Sequence, residues 1–82
     1  MFKVYALYNK ESGKIYIGQT GNIEKRLKEH NNKRGNHFTT RVKGSWIIIY
    51  KEEVRSRKEA LLREKQLKSF KGREYIKQYI PL

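Results

Sequence analysis

The chain has 82 residues, a length that fits one domain over residues 1–82, because either half would be too small to sustain a hydrophobic core of its own. It carries 20 Lys and Arg against 8 acidic residues, and the resulting net charge of +12 repels itself unless a polyanion offsets it, so nucleic acid is the expected partner. The lack of Cys excludes thiolate zinc sites and agrees with a reducing compartment, and the lack of Asp disfavours catalysis by two metal ions.

The first two runs of alternating residues predict a β-hairpin. Polar and apolar residues alternate over residues 2–8, a turn-rich stretch follows, and the alternation resumes over residues 14–18. A hairpin loop at residues 9–12 would set Tyr5 opposite Tyr16. Both tyrosines are therefore expected on one face of the sheet.

A helix is predicted over residues 23–31. The side chain of Asn22 is suited to cap its first turn, and Ile23, Leu27 and His30 recur at helical spacing. The polar, basic stretch that follows, up to Ser45, is interpreted as a surface loop. Its cations, interleaved with an aromatic residue, are typical of a segment that contacts a phosphate backbone. The residues predicted to bind nucleic acid there are Lys33, Arg34, Phe38, Arg41 and Lys43.

The longest apolar run, residues 46–50, predicts a central strand that is apolar on both faces. This run is far too short to span a bilayer, and the first residues of the chain lack the apolar segment of a signal peptide. We therefore expect a cytoplasmic protein without a membrane partner.

Two helices are predicted in the last third of the chain, over residues 57–70 and 73–80. Ser56 and Glu59 have the spacing of a capping box, so Glu59 is assigned a structural role. Gly72 is expected to stop the first of these helices. The residues expected on the apolar face of the first helix are Ala60, Leu61, Leu67 and Phe70, and those of the second are Tyr75, Ile76, Tyr79 and Ile80.

Glu64 is the most informative acidic residue, since its spacing from Leu61 and Leu67 places it on the apolar face of its own helix. A carboxylate buried there needs a cation, and either an ion pair or a bound metal ion would supply one. Arg26, at the edge of the apolar stripe of the preceding helix, is open to a phosphate-contacting role or a catalytic one.

Tyr5 and Tyr16 are individually typical of strand tyrosines that fill a core. Together on one face, near Arg26, they form a candidate phenol site, although the ordinary tyrosine pKa of about 10 is high for a base at neutral pH. His30 is either a proton carrier for that site or a cap of its helix end.

These segments together resemble the GIY-YIG nuclease superfamily, in particular its small stand-alone bacterial branch, which is similar to the incision subunit of nucleotide-excision repair. The matching segments, in the family's order, are Lys3-Val4-Tyr5, Tyr16-Ile17-Gly18, Arg26-Leu27 with His30-Asn31, and the glutamate helix from Ala60 to Lys65.

The resemblance implies an α+β fold with a three-stranded, mainly antiparallel sheet flanked by helices. It also implies an endonuclease that acts as a monomer on duplex or branched DNA, in repair or processing, with no small-molecule cofactor. Tyr16 or Tyr5 would activate the attacking water, with His30 in the same site. Arg26 would stabilise charge on the phosphate, and Glu64 would hold one Mg²⁺ or Mn²⁺. The side chains expected to lie together on one concave surface are Tyr5, Tyr16, Arg26 and Glu64.

Two positions depart from the family pattern. Lys3 stands where the first motif has Gly, and the Asn that many catalytic members carry after the glutamate has no counterpart, since no Asn follows Asn36. Two other functions therefore stay open: a nucleic-acid-binding module of the same fold, and a structural protein associated with ribosomes.

Overall fold

A computed structural model of the chain describes residues 1–32 and 43–81, and it confirms the predicted α+β fold. A three-stranded antiparallel sheet with strand order β2-β1-β3 is covered by helices, so β1 is the central strand. In chain order the elements are β1 (Phe2–Asn9), β2 (Lys14–Thr20), α1 (Ile23–Asn31), β3 (Trp46–Val54), α2 (Arg57–Lys68) and α3 (Phe70–Lys77).

The hairpin between β1 and β2 forms as predicted, but in a different register. Asn9 pairs with Lys14, so Tyr5 lies opposite Gly18 and not opposite Tyr16. The buried Asn9 side chain fixes the turn, because its Oδ1 accepts hydrogen bonds from two backbone N–H groups of the loop. The register differs by an even number of residues, so Tyr5 and Tyr16 still share one face.

The prediction that the strand at residues 46–50 is central was wrong, because β3 lies at an edge of the sheet and, among the described residues, pairs with β1 alone. Apart from the exposed Ile47, its apolar residues pack on both faces of the sheet. Trp46 and Ile48 pack on one side, Ile49 and Tyr50 on the other. A register irregularity in the pairing with β1 separates the two sets.

The two faces of the sheet carry separate hydrophobic clusters. On one face, Val4 and Ala6 of β1 pack with residues of α2 and α3, among them Ala60, Leu67 and Ile76. On the other face, Tyr5 and Leu7 pack with Trp46 and with Ile23 of α1. Helices α1 and α2 therefore lie on opposite sides of the sheet, and β1 is buried from both sides.

Helix α2 ends earlier than predicted, and helix α3 both begins and ends earlier than predicted. Helix α2 ends at Lys68, and the Ser69 hydroxyl donates to the Gln66 carbonyl and accepts from the Gly72 N–H, which starts α3. Gly72 lies within α3, where a Cβ would collide with the backbone of α2. The prediction that Leu61 and Phe70 face the core was wrong, since both are exposed and Phe70 is 79% exposed.

The predicted N-caps of the other helices are confirmed. Asn22 accepts a hydrogen bond from the Lys25 N–H, and Ser56 accepts one from the Glu59 N–H. The Glu59 carboxylate accepts from the backbone N–H of Arg55, which supports its structural role. Within the described ranges, none of the helices is long and apolar enough to cross a membrane.

Candidate active site

The hydroxyl of Tyr5 lies at the centre of the candidate site. Tyr5 is 1% exposed, and a hydrogen bond of 3.1 Å joins its hydroxyl oxygen to Nε2 of His30. The side chain passes over Gly18 on the neighbouring strand, where a Cβ would lie 2.8 Å from the hydroxyl oxygen and 2.9 Å from the Tyr16 ring. The absence of a side chain at Gly18 is therefore what allows both phenols to occupy this place.

Tyr16 and His30 complete a ring cluster with Tyr5. The ring centroid of Tyr16 lies 4.9 Å from that of His30 and 6.2 Å from that of Tyr5. His30 is completely buried, while Tyr16 is half-buried. Of the two roles open to His30, capping the helix end does not fit a ring enclosed between two tyrosines.

The electrostatic surroundings of Tyr5 bring further elements into the site. Burial raises the pKa of the Tyr5 phenol above its usual range, and the charge of Tyr16 raises it further. Arg26 lowers this pKa, whereas Glu64 and Glu29 raise it. Charges from α1 and α2 thus act on one hydroxyl, although these helices pack on opposite faces of the sheet. Tyr5 consequently stays protonated at neutral pH.

Arg26 lies on the α1 side of this hydroxyl. Its side chain is 32% exposed, and its Nε lies 3.8 Å from a carboxylate oxygen of Glu29. Both residues line an open cleft of about 310 Å³ at the start of α1. The guanidinium is therefore accessible to an anion from solvent.

Glu64 lies on α2 with its side chain 19% exposed, and Nζ of Lys68 lies 2.8 Å from its Oε2. The partial burial predicted from spacing is confirmed, and an ion pair supplies the cation. Lys68 and Tyr16 line a second open cleft, of about 460 Å³. Tyr16 and Arg26 thus line two different clefts, where the sequence suggested one concave surface.

Glu64 is the residue expected to bind a metal ion, and its surroundings can be compared with that role. Within residues 1–32 and 43–81, no group of three or more His, Asp or Glu side chains could hold a metal ion. A hydrated Mg²⁺ ion does not need such a group, because it keeps several water ligands and often binds through one carboxylate. Glu64 fits this chemistry, since its oxygens are hard donors and already hold the Lys68 ammonium.

Sequence reasoning missed the role of Asn31. Its side-chain amide bonds both backbone groups of Trp46, accepting from the N–H at 2.7 Å and donating to the carbonyl at 3.1 Å. These bonds join the end of α1 to the start of β3. Lys68 was also missed, although its i,i+4 spacing from Glu64 on one helix is a sequence signal for an ion pair.

The predicted nucleic-acid-binding segment is described only at its end. Lys43 is exposed, and its carbonyl accepts a hydrogen bond from the Asn9 side chain. The other predicted contacts, Lys33, Arg34, Phe38 and Arg41, lie outside the described residues.

Comparison with known proteins relates the whole chain to one family. A family model described as the GIY-YIG catalytic domain matches residues 1–79. The chain is 33% identical over 67 residues to a UPF0213 protein of Staphylococcus saprophyticus, a match that covers 82% of this chain and 80% of the relative. A UPF0213 protein of Clostridium perfringens is 40% identical over 65 residues, with 79% and 68% covered. No solved structure gives a significant match.

Proposed function

This chain belongs to the GIY-YIG nuclease family, and from that premise we propose that it is a metal-dependent endonuclease that hydrolyses phosphodiester bonds of DNA, in repair or processing. The observation that carries the proposal is the ring cluster of Tyr5, Tyr16 and His30, which brings together side chains from three separate elements. Tyr5, Tyr16 and His30 are in ring contact, and the charges of Arg26 and Glu64 both act on the same phenol.

We propose that Tyr16, in its phenolate form, accepts the proton of the attacking water. The Tyr5 phenol is buried, keeps its proton at neutral pH and is bonded to His30, so it is suited to orient the imidazole and the Tyr16 ring. Tyr16 is half-buried and is among the residues that line the larger cleft, so it is the more accessible of the two tyrosines to solvent. A general base must lie within hydrogen-bond reach of the proton it removes.

Arg26 is suited to stabilise negative charge that develops on the phosphate oxygens. Its guanidinium is always protonated and carries five N–H donors in a fixed plane. A carboxylate oxygen of Glu29 lies 3.8 Å from the Arg26 Nε, and its charge restrains the guanidinium. Donors fixed before the reaction stabilise a transition state without reorganising during it.

Glu64 is the residue that would hold Mg²⁺ or Mn²⁺. When bound, the ion supplies Lewis-acid stabilisation of the leaving oxygen. In the structure the Glu64 carboxylate keeps the Lys68 ammonium at 2.8 Å, which offsets the cost of partly burying its charge.

The experiment is a plasmid-nicking time course with Mg²⁺ or Mn²⁺, comparing wild type, Glu64→Gln and Glu59→Gln. Glu64→Gln should reduce the cleavage rate by about 10² or more, on the scale of other lost electrostatic contacts, while DNA affinity survives. Glu59→Gln removes the same charge from the same helix, and should leave cleavage intact while lowering stability by at most about 1 kcal/mol. Chelator serves as the blank. Equal rates for wild type and Glu64→Gln, or cutting that resists chelator, would refute the metal-site assignment.

A binding module that does not cut is the second candidate. Two observations favour it: the Glu64 carboxylate is already paired with Lys68, and no Asn follows Asn36 to match the family's residue after the glutamate. Salt-sensitive DNA binding by wild type, with no nicking under any metal condition, would establish this function in place of the nuclease.

A further inference from the structure

The larger cleft contains cations that the assignment above does not use. It lies between β2 and the junction of α2 with α3, and has a volume of about 460 Å³. Its floor is formed by consecutive residues of β2, and the three charged side chains that line it are all positive. The lining residues are Lys14, Ile15, Tyr16, Ile17, Lys68 and Arg73.

Arg73 is anchored at the rim of this cleft. Its Nε–H donates to the carbonyl of Lys68 at 3.1 Å, which ties the guanidinium to the end of α2. A guanidinium has five N–H donors, and one bond through Nε leaves its terminal amino groups to take an anion. The residue is exposed, so an anion can approach from solvent.

Lys68 is shared between this cleft and the proposed metal ligand. Its ammonium lies 2.8 Å from the Glu64 carboxylate, yet its side chain is 47% exposed and has a flexible four-carbon stem. Ion pairs at such exposure contribute little free energy, so a phosphate that enters the cleft can compete with the carboxylate for the ammonium.

We propose that this cleft binds a backbone phosphate of the DNA strand beside the bond that is cut, and that Lys68 moves its ammonium from the Glu64 carboxylate to that phosphate. The inference rests on the proposed function, because Tyr16 both lines the cleft and is assigned to the attacking water. The half-buried side chain of Ile15 offers an apolar surface to the sugar attached to such a phosphate. A phosphate held there is therefore a neighbour of the reacting one.

The exchange couples metal binding to DNA binding. Without DNA, the Lys68 ammonium competes with a metal ion for the Glu64 oxygens. With DNA bound, the ammonium pairs with phosphate and the carboxylate is released. Because such coupling is reciprocal, a metal ion at Glu64 also strengthens the phosphate contact of Lys68. Lys68 is accordingly a positioning residue that delays metal binding until a substrate is present.

The test compares Lys68→Met with Lys77→Met by fluorescence anisotropy of a short labelled duplex, titrated with salt in the presence of chelator. Lys77 is the matched control, since it forms a lysine–glutamate pair within a helix, with Glu74 at 3.4 Å, but does not line the cleft. Affinity falls as salt rises, and the loss of one phosphate contact makes the negative slope of log affinity against log salt shallower by about 0.9. We expect that reduction in Lys68→Met and a slope like wild type in Lys77→Met.

A second measurement uses the protein without DNA. Free Mn²⁺ is followed by electron paramagnetic resonance during titration, and Lys68→Met should bind Mn²⁺ more tightly than wild type, while Lys77→Met should not differ from wild type. Equal salt slopes for the two variants, or equal Mn²⁺ affinity of Lys68→Met and wild type, would overturn the inference. Neither measurement depends on cutting, so those outcomes leave the nuclease proposal standing if wild type nicks plasmid. A wild-type protein that does not bind the duplex would overturn both.

Discussion

Two clusters of aromatic rings lie on opposite faces of the same sheet, and their surroundings differ. The inner cluster consists of Tyr5, Tyr16 and His30, and the outer cluster consists of Tyr50, Tyr75 and Tyr79. Ring centroids are 4.9 to 6.2 Å apart in the inner cluster and 5.1 to 5.8 Å apart in the outer one. Ring spacing alone therefore does not distinguish a site from a structural contact.

The outer cluster is hydrogen-bonded to an ion pair. The Tyr50 hydroxyl donates to Glu52 at 2.7 Å, and Glu52 accepts from Nε of Arg63 at 3.0 Å. Burial, and then the hydrogen bond to Glu52, raise the pKa of Tyr50 to about 12. Tyr75 and Tyr79 pack against its ring and stay partly exposed. This arrangement fastens α3 and α2 to β3.

The inner cluster differs because its ion pairs lie within single helices, Arg26 with Glu29 and Glu64 with Lys68. The charges of Arg26, Glu29 and Glu64 also act on the Tyr5 phenol. Tyr16 and Arg26 each line an open cleft, so solvent reaches the surroundings of this cluster. Comparison of the clusters teaches that access and converging charge mark the candidate site, whereas phenol content does not.

The largest expected effect comes from removing the Tyr16 hydroxyl of the inner cluster, and the removal of one hydroxyl from the outer cluster is the control. Tyr16→Phe should lower the plasmid-nicking rate by about 10² to 10⁴, the range for loss of a general base. Tyr75→Phe removes a partly exposed hydroxyl of the outer cluster, 3.1 Å from the Tyr79 hydroxyl, and should cut like wild type. Similar rates for the two variants would remove the functional distinction between the clusters.

The space that Gly18 leaves for the two phenols of the inner cluster can be filled by adding a methyl group. Gly18→Ala places a Cβ within 3 Å of both the Tyr5 and Tyr16 side chains, so overpacking should lower the free energy of unfolding by about 1–3 kcal/mol and slow cleavage. Gly21→Ala is the control, because its Cβ would meet only Phe2, at 3.8 Å. Urea unfolding of both variants checks this, and a Gly18→Ala protein as stable as Gly21→Ala would contradict it.

The smallest expected effect appears at alkaline pH and tests whether both clusters bury a neutral phenol. The pKa values of Tyr5 and Tyr50 are raised in the folded state, so their contributions to stability are complete below the unfolded value of about 10 and are lost as the pH rises through the folded values. Each phenol contributes a slope of up to about 1.4 kcal/mol per pH unit in that window. Tyr5→Phe and Tyr50→Phe should each flatten the loss of unfolding free energy between neutral and alkaline pH. A pH dependence unchanged by Tyr5→Phe would contradict the burial of its hydroxyl.

Local pattern in the sequence determined the elements and several members of the site. The alternation of β1 and β2, the caps Asn22 and Ser56, and the face shared by Tyr5 and Tyr16 were all predicted correctly. These features depend on neighbours within a few residues, because side-chain direction repeats every two residues in a strand and every 3.6 in a helix. The partial burial of Glu64 followed from the same periodicity.

Features that depend on distant parts of the chain were decided only by the tertiary structure. The edge position of β3, the hairpin register set by Asn9 and the exposure of Leu61 and Phe70 were not predicted. A strand covered by helices on both faces has the same apolar pattern as a central strand, and an apolar helix position is buried only where another element packs against it. The pairing of Lys68 with Glu64 has a sequence signal in its i,i+4 spacing, but its position beside a cleft was decided by the tertiary structure, because that cleft forms where β2 meets the junction of α2 and α3.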